Sequence, residues 1–153
     1  MKTDGGQALI RSLEREGVEV MFGLPGGAIL PVYDPIIDSK IRHILVRHEQ
    51  GAGHMAEGYA QATGKPGVVL VTSGPGATNA IGGIVEAWVD SVPVLVISGQ
   101  VSTDQISPNV KSFGIQGFNV IDNVNNITKY AVQINDASEI KFHLEKALHI
   151  AKL

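Results

Sequence analysis

Cysteine is absent from the 153 residues, which removes disulfides, thiolate nucleophiles and thiolate metal ligation together. Charge is scarce as well. Asp, Glu, Lys and Arg make up 18% of the chain, and 12 basic against 15 acidic residues leave a net charge of −3 with histidine neutral. A chain with no basic surplus has little to neutralise a phosphate backbone, so no nucleic-acid partner is expected. No apolar run approaches the ~18 residues of a membrane span, and the opening residues Met1 to Gly6 lack the apolar stretch of a signal peptide. No membrane partner is expected, and the cytoplasm is the expected location. A Gly-x-Ser-x-Gly elbow is missing, and Gly64-Lys65-Pro66 lacks the spacing of a phosphate-binding loop, which sets aside serine-nucleophile and P-loop chemistry.

What is present is apolar and punctuated. Hydrophobic side chains reach 44%, too many for a disordered chain, and the length suits a single domain, residues 1–153, with one core. The 18 glycines cluster at the ends of apolar runs, in Gly23-Leu24-Pro25-Gly26-Gly27, Gly64-Lys65-Pro66-Gly67, Ser73-Gly74-Pro75-Gly76 and Ser98-Gly99. They mark places where the chain must turn tightly.

Between those turns, the β-branched runs 18–22, 41–46, 68–72 and 92–98 read as strands. Val68 to Val71 and Val94 to Ile97 show no alternation, the pattern of strands covered on both faces of a parallel sheet. Helices are expected over 7–16, after a Thr3/Asp4 cap, and over 50–63 and 77–89, whose small residues suit close packing on a sheet. A last helix over 137–152 carries Ile140, Leu144, Ala147, Leu148 and Ala151 as one apolar stripe. Met55 and Trp88 fall within helical apolar patterns and read as core. The alternation predicts an α/β fold, an open, mainly parallel sheet with helices on both faces, whose ligands sit beyond the carboxyl ends of the strands.

Three loops therefore carry the chemistry. Ser73 to Asn79 follows a strand and opens a helix, so its backbone N–H groups suit an anion or a polar ring. It is a poor dinucleotide fingerprint: only Gly74-x-Gly76 is present, Asn79 replaces the last glycine, and the turn follows the third strand. Arg47-His48-Glu49-Gln50 ends the second strand. Glu49 reads either as a helix-start carboxylate favoured by the helix dipole or as an acid aimed into the crevice. Glu57 reads as an ordinary surface acid. His48 and His54, six apart with no further cluster in sequence, do not form a metal pair.

Taken in order, four stretches form a resemblance: Gly23-Leu24-Pro25-Gly26-Gly27-Ala28 through Tyr33-Asp34; Arg47-His48-Glu49-Gln50-Gly51-Ala52-Gly53-His54-Met55-Ala56-Glu57-Gly58-Tyr59-Ala60; Thr72 to Asn79; and Val94 to Val101. The chain resembles, over nearly its whole length, the amino-terminal pyrimidine-binding domain of the acetolactate (acetohydroxyacid) synthases. The resemblance implies a thiamine diphosphate enzyme that decarboxylates pyruvate and joins the two-carbon unit to a second 2-keto acid. It implies that Glu49 is catalytic, hydrogen-bonding N1′ of the aminopyrimidine and sharing its proton. Pro25 and Gly26 would meet the cofactor, Thr72, Pro75 and Asn79 would line the pyrimidine pocket, and Gly27, Ala28 and Gln116 would border the substrate. No metal ligand is implied in this chain, which contains no Gly-Asp-Gly. Mg2+ and FAD would belong to domains outside it. Expected partners are a second copy, as homodimer or tetramer, the diphosphate-binding domain of a neighbouring subunit, and a regulatory small subunit. The sequence departs from the family at Ile115 and Gly117, where Phe and Glu are usual, at Ser102, where Pro is common, and at Tyr130, where His is frequent. A subunit of another thiamine diphosphate-dependent 2-keto acid decarboxylase, and a non-catalytic nucleotide-binding module built on the Gly74 turn, stand as alternatives.

Overall fold

The structure, a computed structural model, describes residues 4–107 and 109–153. Its elements in chain order are α1 (Gly5–Arg15), β1 (Val20–Leu24), α2 (Leu30–Tyr33), β2 (Arg42–Leu45), α3 (Glu49–Thr63), β3 (Gly67–Val71), α4 (Pro75–Asn79), α5 (Ile81–Val89), β4 (Val94–Ser98), α6 (Ile121–Val124) and α7 (Ile140–Ala151). Asp4 caps α1, its carboxylate accepting from the Gln7 N–H at 2.8 Å; Thr3 lies outside the described residues. The four expected strands and the expected helices are present.

All strand pairings are parallel, in the order β2-β1-β3-β4. The chain steps from β1 outward to β2, then returns to β3 on the other side of β1. This reversal opens a crevice between the loops that leave the carboxyl ends of β1 and β3. Successive side chains of a strand point to opposite faces, and two cores result. Met21, Val68 and Leu70 pack with Ile10, Leu13, Leu144 and Leu148 of α1 and α7 on one face. Phe22, Val69 and Val71 pack with Ala52, Ala56, Ala77 and Ala80 on the other. Every residue of β3 is buried, as its unbroken apolar run implies. β4, with an equally unbroken run, has only Leu95 buried, because it is an edge strand among the described residues, paired on one side alone.

Three other expectations change. The helix read over 77–89 is two helices, parted at Ala80, whose N–H is shared between the Gly76 and Ala77 carbonyls at 3.3 and 3.2 Å, a three-centred bond that tightens the turn. The helix read over 137–152 opens as a 3-10 turn, Ala137–Glu139, capped by Asp136. Leu144 and Leu148 of its stripe are fully buried, and its last turn reaches Ala151. Met55 and Trp88 are not core: they are 48% and 44% exposed, on outward faces of α3 and α5.

Two contacts hold the crevice walls. Tyr33, on the segment after β1, donates its hydroxyl to the Leu70 carbonyl of β3 at 3.3 Å and lies 3.1 Å from His43 Nε2 of β2. Burial pushes its phenol well above the ordinary tyrosine range and lowers the His43 imidazole. On the opposite face, α3 and α5 meet backbone to backbone. A Cβ at Gly83 would lie 2.6 Å from the Gly53 Cα, and one at Gly53 would lie 2.8 Å from the Gly83 Cα. Neither neighbour is a flexible side chain, so only glycine fits. Gly83→Ala should therefore cost about 1–3 kcal/mol through overpacking. Gly58→Ala, on the same helix pair but with open space at its Cβ, should gain about 1 kcal/mol from helix propensity. Denaturant melts of both variants check this; stabilisation by both would remove the close-contact argument.

Candidate active site

The N-terminus of α3 places the central residue. His48 is the cap, its Nδ1 accepting from the Gln50 N–H at 3.2 Å, and Glu49 is the first helical residue. Glu49 is nonetheless 7% exposed. Its Oε2 accepts from the Asn79 Nδ2 of α4 at 3.0 Å, and among the described residues it has no Lys, Arg or His partner. Its Oε1 lies 3.4 Å from where a Cβ of Gly76 would stand. Glu49 thus starts a helix and is buried at its N-terminus.

Thr72, at the end of β3, forms the floor. A Cβ at Gly26 would meet the Thr72 side chain at 2.6 Å, and one at Gly76 would meet the Thr72 Cγ2 at 2.7 Å. The loop after β1 and the loop after β3 thus close on one threonine from two sides. The Thr72 Oγ1 is buried and has no hydrogen-bond partner. A buried hydroxyl without a partner costs free energy unless a ligand supplies one, and it stands among a carboxylate and two bare backbone segments. A ligand offering both a donor and an acceptor would satisfy the carboxylate and the hydroxyl together.

Of the residues singled out from sequence, the structure brings Gly26, Glu49, Thr72 and Asn79 together, with Pro75 in the turn between them. Gln116 joins through a residue not singled out: Ser73, 1% exposed, donates its hydroxyl to the Gln116 Oε1 at 2.8 Å. Ala28 packs instead against the end of β4, its carbonyl 2.5 Å from where a Cβ of Gly99 would stand. Gly27 faces open space and Pro25 is exposed. A serine ending an all-buried strand must find a partner inside, which was the available signal for Ser73. A cleft of about 690 Å3 runs elsewhere, along β4 and α7, and the ionisable side chains among its lining residues are Lys129, Tyr130 and His143. It offers no carboxylate.

Residues 3–132 match the family described as "Thiamine pyrophosphate enzyme, N-terminal TPP binding domain". The chain belongs to this family. The acetolactate synthase of Mycobacterium bovis is 50% identical over 149 residues, covering 96% of this chain and 23% of its own. The acetolactate synthase large subunit of Lactococcus lactis is 49% identical over 154 residues, covering 98% and 26%. The mitochondrial acetolactate synthase catalytic subunit of Saccharomyces cerevisiae is 47% identical over 148 residues, covering 96% and 21%. This thiamine pyrophosphate-binding domain therefore spans about a quarter of the length of the relatives it matches.

A second acidic group lies further along α3. Glu57, read from sequence as a surface acid, is 5% exposed. It shares the α3–α5 seam with His54, which pairs with Glu86, and its Oε1 accepts from Gln61 at 3.3 Å. One possible ligand atom from each of His54, Glu57 and Glu86 lies within 4.8 Å of the others. The spacing of His48 and His54 could not reveal this group, because Glu86 comes from another helix. Burial first, then the neighbouring Glu86 carboxyl and Asp90, push the Glu57 carboxyl above the ordinary range, and His54 opposes them. The folded chain thus keeps a proton that the unfolded chain releases. Glu57 adds stability that is full below the unfolded carboxyl pKa of about 4.3 and is lost as pH rises through the higher folded value. The stability of Glu57→Gln relative to wild type should therefore rise between about pH 4 and pH 7. Thermal melts across that interval check it, and a constant difference would contradict it.

Proposed function

We propose that this domain holds the aminopyrimidine of thiamine diphosphate in the crevice, within an acetolactate synthase that decarboxylates pyruvate and transfers the two-carbon unit to a second 2-keto acid. The observation that carries this reading is Glu49, a buried carboxylate at the carboxyl end of a parallel sheet, fixed by an amide rather than neutralised by a cation. When bound, thiamine diphosphate supplies the carbanion-stabilising chemistry that such a transfer needs.

The residues divide the remaining work. Asn79 holds Oε2 of Glu49, which leaves Oε1 to share a proton with a ring nitrogen of the aminopyrimidine. The seclusion of the carboxylate from water strengthens that bond. The bare backbones of Gly26 and Gly76 let a flat ring approach, and the orphaned Thr72 Oγ1 gains a partner. Pro25 precedes Gly26 on the same loop and would meet the cofactor with it, while Gly27 and Ala28 follow, with open space at Gly27 for substrate.

The chain lacks Gly-Asp-Gly, and in this reading the diphosphate, Mg2+ and any FAD are held by other parts of the protein. Met55, Val85, Trp88 and Val89 are exposed on α3 and α5, which supports docking against a second copy and its diphosphate-binding domain. The relatives named as large or catalytic subunits support a regulatory small subunit as a further partner. No helix is long and apolar enough to cross a membrane among the described residues, and the cytoplasm remains the proposed location. The nucleotide-module alternative is weaker: an anion at the Gly74 turn would meet a helix of five residues and the Glu49 carboxylate beside Gly76.

Glu49→Gln in the holoenzyme tests the reading. The amide keeps the shape but cannot take up the proton, so hydrogen–deuterium exchange at C2 of the cofactor should slow by about 10²-fold or more, with cofactor binding and melting temperature kept. A helix-start carboxylate alone would give a loss of about 0.3–1 kcal/mol in stability and unchanged exchange. Wild-type exchange in the variant ends the assignment.

A further inference from the structure

We infer that Ser73 is a positioning residue that fixes the amide of Gln116, so that its Nε2 hydrogens face the 2-keto acid substrate. The inference rests on the thiamine diphosphate reading above and goes beyond it.

A glutamine amide is nearly symmetric in shape and opposite in chemistry at its two ends. Left free, it presents an acceptor about as readily as a donor. A 2-keto acid offers only acceptors, the oxygens of its carboxylate and carbonyl, and the crevice already contains an acidic group in Glu49. A glutamine on the rim helps such a substrate only when its donor end is turned inward. Ser73 sets that choice. Its hydroxyl, buried at 1% exposure, donates to the Gln116 Oε1 at 2.8 Å. The Gln116 side chain is otherwise exposed, and its Nε2 makes no hydrogen bond among the described residues. The acceptor end is held and both donors are open.

The backbone fixes the same contact independently. Gly74 has φ +57°, and a Cβ there would stand 2.1 Å from the Ile115 carbonyl and 3.0 Å from the Gln116 Cα. The turn Ile115–Gly117 therefore sits directly on the end of β3, in a conformation and a space that only glycine allows. Gln116 reaches the rim because Gly74 lets its backbone in, and its amide faces one way because Ser73 holds the oxygen.

The test uses the holoenzyme loaded with thiamine diphosphate and Mg2+, with pyruvate as the probe. Ser73→Ala should raise KM for pyruvate about fivefold, the scale of one oriented hydrogen bond, with cofactor affinity near wild type. Gln116→Ala should raise it at least as far, and adding Ser73→Ala to Gln116→Ala should change KM by less than about twofold, because Ser73 acts only through Gln116. Gln116→Glu can still accept from Ser73 but has no donors, and it should be as impaired as Gln116→Ala. If the two alanine effects multiply, or Gln116→Glu keeps the wild-type KM, the role of Ser73 falls. The cycle is read from KM, so a lowered melting temperature in Ser73→Ala does not mask the result. Wild-type protein that neither binds thiamine diphosphate nor consumes pyruvate would overturn the underlying reading. Multiplying effects on a normally active wild type would overturn this inference alone.

Discussion

A carboxylate taken out of water without a cation beside it is expensive, and the arrangement around Glu49 exists to hold one there. One oxygen is satisfied by the Asn79 amide, which adds a hydrogen bond without charge. The partial positive charge of the α3 N-terminus offsets some of the rest. The amide satisfies that oxygen without bringing a second charge into the interior, and the proposed proton sharing needs only the other oxygen left open. The use of an amide rather than a cation is what separates this site from a structural ion pair.

Keeping Glu49 there requires the whole of α3 to be seated to within a few tenths of an ångström. Its seat is set by backbone contacts rather than by adaptable side chains: Gly53 on Gly83 of α5, and Gly67 of β3 so close to the Ala56 carbonyl that a Cβ would stand 2.1 Å away. The helix cannot slide without backbone collision. The opposite wall is fixed by Tyr33, whose hydroxyl ties the segment after β1 to the Leu70 carbonyl of β3. The loops that meet at Thr72 are thus carried by two separately anchored supports, as a site held in one geometry needs.

The parallel sheet was legible because its strands are unbroken apolar runs separated by glycine turns, and a strand buried on both faces leaves no other pattern. Glu49 stood out because it follows the carboxyl end of β2, whereas Thr72 and Asn79 were named by the resemblance alone. What sequence could not show was burial decided between elements. Glu57 sits on a helix face that reads as polar, and only the approach of α5 buries it. Met55 and Trp88 read as core because a helical pattern records which residues share a face and not whether that face has a partner in the same chain. β4 repeats the pattern of β3 yet stands at the edge of the sheet, since strand order is not written in the hydropathy of one strand. Ser73 was overlooked beside the glycines around it, although a buried hydroxyl always poses the question of its partner.

The two buried acids of α3 show why position rather than burial decides function. Glu57 lies two turns inside the helix, away from the N-terminal dipole, and faces Glu86 and Asp90, so its surroundings favour the protonated form. Burial, the largest cause, acts in the same direction. Glu49, eight residues earlier, starts the helix and accepts an amide hydrogen bond on one oxygen. Its other oxygen lies beside Gly76, which closes with Gly26 on the unpartnered Thr72 hydroxyl. The same side chain on the same helix thus meets carboxyl groups at one end of the seam and an amide at the other, and the difference follows from which end of the sheet each one faces.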